Sequence, residues 1–497
     1  VVRGPFLVEP IGGNEARPAV NAIRNSAIRH SQFRNSAISY HKGEVRMKRV
    51  QPLLILVLIL GVLLSACAPA ADQPAAPEPA APAATMAPAP EAPAVEAPEG
   101  VTLTCDAPIK IGLITDLTGG LAIYGVMMER SFLLGMEYMA GAPAGPNNTF
   151  SFGDCDVQVL IRDDQGSTET AATLARELIE VDRINLLVGT VSSGSTATLQ
   201  EIARENDIVL IVAPAAANDI TGVSFNEYTF RTSRTNYQDF IALCEYLAPA
   251  FGTFVQIAPD YSFGYGGAFS ARDACTYFGG EFVADDIFAP ADTTDFTPYM
   301  EQILDSGAAA FVVTWAGGGF VPMMQAAREL GVLDEMELGS AFVNNSLIPV
   351  FFGNAIGSTA SILYHYTSPD NVINDWLVAE TTARYQTPPD LFDADGMNAA
   401  IMAVEALRTT AGDTSSAALI SAMEGMSFEG PKGTVYIRPE DHVAIQDMYV
   451  LRLVNIDDPE FRFFEPVATV RPEPPCLLPE SMVDRCGDLP VGSLMGQ

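Results

Sequence analysis

From Ile109 onward the chain alternates short apolar runs with stretches of helical period, and this alternation limits the possible folds more than any single residue does. Ile109–Thr115 reads as a strand, Gly125–Ala140 as a helix, Val157–Arg162 as a strand and Thr168–Val181 as a helix. Leu186–Gly189 and Ile208–Val212 are again short apolar runs, separated by a helical stretch from about Thr196 to Asn206. Strands alternating with helices of this length predict a parallel sheet covered on both faces. The rhythm restarts after Arg231, with helices at 236–250, 265–278, 296–306 and 320–331 between strands at 253–258, 281–286 and 309–314. The expected fold class is therefore α/β, with two doubly wound parallel-sheet lobes in succession. A later helix, Ala394–Thr410, and a strand-rich end, Gly433–Val454, are to be shared between them.

The beginning of the chain follows other rules. Met47-Lys48-Arg49, an apolar run from Leu53 to Leu64, and Leu64-Ser65-Ala66-Cys67 stand in the order of a secretory signal ending in a lipobox. That is the sequence at which a bacterial lipoprotein is cut before its modified cysteine. Residues 47–66 are thus the expected signal peptide and Cys67 the expected lipidation site. The competing reading, an uncleaved membrane helix, has only 17 residues from Val50 to Ala66, Pro52 among them, at the short limit for a bilayer. Residues 1–46 hold seven Lys/Arg against three Asp/Glu without a strong apolar period, and read as an upstream extension of the reading frame or an unstructured leader. Residues 67–100, with the cysteine at their head, are almost entirely Ala, Pro and Glu. They bury too little apolar surface to offset their ordering entropy, so a mobile tether is expected there. The expected setting is extracytoplasmic, with the protein held to a membrane by its lipid.

Beyond residue 66 lie 431 residues, too many for one ordinary core and enough for two lobes. They carry 18 Lys/Arg against 58 Asp/Glu, a net charge of about −40. A surface this acidic argues against nucleic acid and anionic lipid headgroups as partners, because both are repelled, and solubility in a salty medium is its plainer reading. Setting Cys67 aside leaves six cysteines, an even number that implies disulfides in an exported protein. Six cysteines allow 15 pairings, so the count alone does not choose. Cys105 with Cys155, Cys244 with Cys275 and Cys476 with Cys486 is the expected set, since each pair would staple neighbouring elements; free buried thiols are the alternative.

Several ordered motifs lead to a family. Ile109-Lys110-Ile111-Gly112 through Thr118-Gly119-Gly120-Leu121-Ala122-Ile123-Tyr124-Gly125 resembles the opening of the branched-chain amino-acid type of periplasmic binding protein. Gly189-Thr190-Val191-Ser192-Ser193-Gly194-Ser195-Thr196 and Ala213-Pro214-Ala215-Ala216-Ala217 resemble it too, and Phe230-Arg231-Thr232-Ser233 looks like its first inter-lobe crossing. Asp260-Tyr261-Ser262-Phe263-Gly264 and Asp295-Phe296-Thr297-Pro298 match second-lobe landmarks. Each motif is weak alone, but their order and spacing across residues 109–455 make the set specific. The resemblance implies a type 1 periplasmic binding protein: two lobes joined by three crossings, a small solute in the cleft, and delivery to ABC permease membrane subunits. The lobes expected from it are 105–233 with 360–430, and 234–359 with 431–470, leaving 471–497 as a C-terminal tail.

Ligands of doubly wound sheets sit at the carboxyl ends of strands. Ser192-Ser193-Gly194 lies at such a place, where a helix N-terminus favours an anion and a hydroxyl adds a donor. By resemblance Ser193 holds a ligand carboxylate, with Ser192 beside it and backbone N–H groups of Ala215 and Ala217 helping. Ser192 and Ser195 serving only as helix caps is the plainer reading. Tyr124 and Phe263 match cleft positions in the family, and Trp315, beside Gly317-Gly318-Gly319, is a candidate for stacking on a ligand; lobe packing is the alternative for each. The three glycines lack the Gly-Lys-Ser/Thr of a phosphate loop. Where the amino-acid binders carry a hydroxyl and an acid for the ligand's ammonium, this chain offers Ala217 and Ala341. An ammonium buried without a partner costs several kcal/mol, which favours a carboxylate lacking an α-amine, such as an aromatic or branched acid, or a neutral amide. A slip of two residues at Ala341 would instead leave Asp260 or Asp219 to supply the charge.

Catalysis has little support. His365 and His442 are the only histidines after residue 66, and there is no His-x-x-x-His, no Cys-x-x-Cys and no Gly-x-Ser-x-Gly at Ser192 or Ser193. The histidines read as packing or surface residues, and no enzyme activity, metal or cofactor is expected. A ligand-sensing receptor component of the same fold, signalling through a separate membrane protein, is the alternative to transport.

Overall fold

The computed structural model describes residues 99–340 and 343–496. The signal segment, Cys67, the tether as far as residue 98, and Ala341 lie outside the described residues. Six strands form the first sheet: β1 (Ile109–Thr115), β2 (Thr149–Phe152), β3 (Cys155–Asp163), β4 (Leu186–Val188), β5 (Leu210–Val212) and β6 (Thr229–Arg231), in the order β2-β3-β1-β4-β5-β6. Only the β2–β3 pair is antiparallel. Every residue of β4 and β5 is buried, as strands covered by helices on both faces require.

The second sheet contains β7 (Thr253–Pro259), β8 (Glu281–Phe282), β9 (Ile287–Ala289), β10 (Ala310–Val313) and β11 (Glu337–Ser340), all parallel, in the order β11-β10-β7-β8 with β9 also on β7. The single strand expected at 281–286 is therefore two short ones. The acidic pair Asp285-Asp286 separates them, and the Asp286 carboxylate turns to accept from Gln256 Nε2 at 2.6 Å and to pair with Arg272.

Later elements complete both lobes. Helix Asp393–Thr409 packs along helix Ala122–Ala140, so that Met397, Ala400 and Val404 share one core with Ile111, Phe132 and Phe230. Strands β12 (Thr359–Ile362), β13 (Ser427–Gly430), β14 (Gly433–Ile437), β15 (Ala444–Ile445), β16 (Met448–Leu453) and β17 (Phe464–Val470) form two antiparallel sheets, β12-β16-β17 and β13-β14-β15. Val435, Ile437 and Ala444 belong to the first-lobe core. The division expected between residues 430 and 431 thus cuts the β13–β14 hairpin, and the packing moves that boundary to the short link after Ile445. The lobes are joined at 232–235, at 363–371 and at Gln446-Asp447. Chemistry marks the first link: Thr235 and Gln238 form a reciprocal capping box that starts helix Asn236–Phe251. Disulfides Cys105–Cys155, Cys244–Cys275 and Cys476–Cys486 are all present; the second ties helix Asn236–Phe251 to helix Ser262–Tyr277.

The crossings are knit together by buried polar groups. Gln446 Nε2 donates to Thr232 O at 3.0 Å, Lys432 Nζ donates to Gln446 Oε1 at 2.9 Å, and Gln238 Nε2 donates to Ala444 O at 2.9 Å. Asp395 is fully buried, and neither carboxylate oxygen has a hydrogen-bond partner among the described residues. Burial pushes its pKa up to about 6, opposed by Lys432 and Arg234, with Asp239 adding to the rise. Burial also lowers Lys432 to about 8. A carboxyl raised above its unfolded pKa of 3.8 destabilises the fold once it ionises, so stability falls as pH climbs from about 4 to 6. Asp395→Asn is therefore expected to gain stability relative to the native chain across that interval. Melting temperatures at pH 4 and 7 check this; a difference that does not change with pH contradicts it.

Candidate functional site

Carboxylates hold the loop that carries the first lobe's cleft residues. Asp116, just after β1, accepts from Gly119 N at 2.5 Å and Leu121 N at 2.9 Å, while Asp163 accepts from Leu117 N at 2.8 Å. Asp164 accepts from the Thr190 hydroxyl at 2.6 Å and from Gly166 N at 2.9 Å. Asp116, Asp163 and Asp164 lie close enough together to suggest a metal site, but these oxygens are engaged in holding the loop that presents Leu121 and Tyr124. The two lobes then use one device. Gly125 and Gly264 each sit in the first turn of a helix, where a Cβ would stand 1.6 Å from Asp116 O and 1.8 Å from Pro259 O. Only glycine permits that approach of helix to strand end, and the preceding residues, Tyr124 and Phe263, turn into the cleft.

Tyr124, Ser193, Ala215 and Phe263 line one cavity in the cleft. Leu121, Val191 and Ala216 add apolar wall from the first lobe, and Tyr261 and Ala316 add wall from the second. Ser193 opens helix Ser193–Glu205, and its Oγ accepts from Ala217 N at 3.2 Å. The predicted serine and the predicted backbone segment are thereby joined. Burial pushes the Tyr124 hydroxyl up to about 12, so it is a neutral donor or acceptor at any physiological pH.

Three predicted residues are placed elsewhere. Ser192 is the N-cap of its helix, its Oγ accepting from Ser195 N at 3.4 Å. Ala217 is not among the described residues lining the cavity: its N–H points at Ser193, and its carbonyl accepts from Arg231 at 2.7 Å. Trp315 is a core residue of the second lobe, packed edge-on against Phe296 at 5.0 Å, and only its neighbour Ala316 reaches the cavity.

The wall also contains two residues that the motifs did not single out. Arg234, 2% exposed, donates from Nε to Asp239 Oδ1 at 3.2 Å and from Nη1 to Pro214 O at 2.8 Å. Its guanidinium stands 5.1 Å over the ring of Phe392, which meets Tyr124 edge-on at 5.0 Å. None of the described residues lining the cavity is acidic. Asp219 and Asp260 are exposed and lie outside that wall. Asp390 is near, and burial raises its pKa to about 6, but its oxygens accept from Leu391 N at 2.8 Å and Asn345 N at 3.1 Å.

The lobes touch across the cleft: Gly317 N donates to Tyr124 Oη at 3.4 Å. A larger cavity lies in the second lobe between Met336, Phe351, Leu453 and Phe464. Its wall comes from that side of the cleft alone.

A periplasmic binding protein family model matches residues 108–458. Leu/Ile/Val-binding protein homolog 6 of Brucella melitensis is 27% identical over 363 residues, 70% of this chain and 88% of the relative. A solved ABC-type branched-chain amino acid transporter protein from Rhodopseudomonas palustris is 31% identical with a TM-score of 0.61, covering 73% of this chain and 96% of its own. A solute binding protein of an ABC transporter from another R. palustris strain, in complex with 3,4-dihydroxy benzoic acid, has the same fold. It is 24% identical with a TM-score of 0.63, covering 73% of this chain and 97% of its own. The chain belongs to the periplasmic binding protein family. It is a solute-binding protein of the ABC-transporter type, and its family and fold are those of substrate-binding proteins rather than enzymes.

Proposed function

We propose that the protein captures a small aromatic carboxylate lacking an α-amine and delivers it to an ABC permease, working outside the cytoplasm from a lipid anchor at Cys67. One observation carries the choice of solute: a buried cation, Arg234, in a cavity whose described wall holds no acid. An amino acid brings an ammonium that needs an acceptor or counter-charge, and the described wall offers none, since Asp239, the partner of Arg234, is not part of it. A lone carboxylate has the opposite preference. Ser193 and Arg234 supply donors for it, and Tyr124, Phe263 and Phe392 supply ring faces and edges for an aromatic body. The R. palustris relative in complex with 3,4-dihydroxy benzoic acid supports such a ligand on this fold.

Capture follows from the two-lobed geometry. Solute held by Ser193 and Arg234 is covered by Phe263 and Tyr261 only when the lobes meet, and this differential contact drives closure. Ser193→Ala is expected to weaken benzoate binding by about 1.5–3 kcal/mol, the range for a hydrogen bond to a charged group. Calorimetry measures it, and unchanged affinity removes Ser193 from the site.

A further inference from the structure

The C-terminal residues 471–496 lie beyond the span matched by the family model, which ends at 458, yet they are tied to both lobes. They begin beside the crossings. Arg471 donates to Ile445 O at 2.9 Å and pairs with Asp447 at 3.0 Å, and Pro472 O accepts from Gln238 at 3.4 Å. Cys476 and Cys486 then close a ring with a sequence separation of 10.

One side of this ring is fastened to the first lobe. Arg485 donates to Glu424 Oε1 at 3.0 Å, Glu440 O at 3.0 Å and Pro439 O at 2.7 Å, and its guanidinium lies 5.0 Å over the ring of Phe225. The other side is fastened to the second lobe. Leu477 and Leu494 pack on the core formed by Tyr237, Phe240 and Ala271. Leu494 N donates to Asp273 Oδ2 at 2.8 Å, the oxygen that also accepts from the Tyr237 hydroxyl at 3.0 Å. Asp273 lies on helix Ser262–Tyr277, whose first turn carries Phe263 into the cleft.

We propose that residues 471–496 form a strap that holds the two lobes toward the closed arrangement. Three crossings alone leave the lobes free to rotate about them as rigid bodies. The strap adds a fourth tie, attached at both ends and stiffened by a covalent ring. Both ends are fastened in the arrangement seen here, so a rotation that separates the Arg485 anchors from the Leu494 anchors parts one set or the other, and the strap then favours this arrangement, which is what shifts a two-state equilibrium. This device is independent of which solute the cleft takes.

The test is small-angle scattering of the ligand-free protein, native and carrying Arg485→Ala together with Leu494→Pro, which removes the fastening cation at one end and the donating N–H at the other. The strap predicts a larger radius of gyration for the variant, shifted toward an open two-lobed particle. A radius equal to that of the native chain overturns it. Should the double variant be unfolded at the measuring temperature, each single variant is read by the same criterion.

Discussion

Gly317→Val is expected to weaken solute capture by about 100-fold, which corresponds to about 2.7 kcal/mol against the closed form. Gly317 has φ +83°, a region where an L side chain costs roughly 1–2 kcal/mol whether the lobes are apart or together. That strain leaves the balance between open and closed forms unchanged. The added Cβ, however, would stand 2.8 Å from both Gly120 O and Leu121 Cδ2 of the facing lobe. This overlap exists only on closure, so it acts on the equilibrium and not on the contacts to solute. Benzoate calorimetry gives the affinity. Native affinity in the variant contradicts a capture mechanism that runs through this arrangement of the lobes.

Arg234→Met is expected to have two separable consequences. The first is a loss of about 3–5 kcal/mol of folding stability, the cost of leaving a buried partner charge unpaired. Asp239 is that partner, fully buried and bonded to Arg234 Nε. The second is loss of carboxylate affinity. Adding Asp239→Asn removes the stranded charge and should restore much of the stability, but not the binding. Denaturant unfolding and calorimetry on the single and double variants distinguish the two roles. Recovery of binding in the double variant would make Arg234 a structural residue only.

The parts of this account that were legible in sequence are those governed by local periodicity. Buried runs such as Leu186–Val188 and Leu210–Val212 announce a parallel sheet because both faces are covered. The cysteine pairs were legible because each joins neighbouring elements. Ser193 and Tyr124 follow from strand-end loops, which any doubly wound lobe presents to its cleft. Trp315 misled because three glycines after it suggested an open loop. The period of two carries on past the strand, however: Phe311, Val313 and Trp315 face one core, and Ala316 faces the cavity. Arg234 escaped notice because it lies in an inter-lobe crossing, where a charged residue reads as exposed. Its burial depends on Asp239, Pro214 and Phe392, contacts that only the tertiary fold brings together. The boundary expected at 430/431 falls inside the hairpin Ser427–Ile437 for the same kind of reason, since β13 and β14 pair locally and sequence does not show which core receives β14.

The central claim is that this cleft takes a carboxylate without an α-amine. It is tested most directly by calorimetric titration of the same preparation with benzoate and with leucine. The account predicts saturable binding of benzoate and no measurable heat of binding for leucine. Tight leucine binding with none for benzoate would contradict it, and would require an acceptor for the ammonium that the wall formed by Tyr124, Ser193, Arg234, Phe263 and Phe392 does not provide.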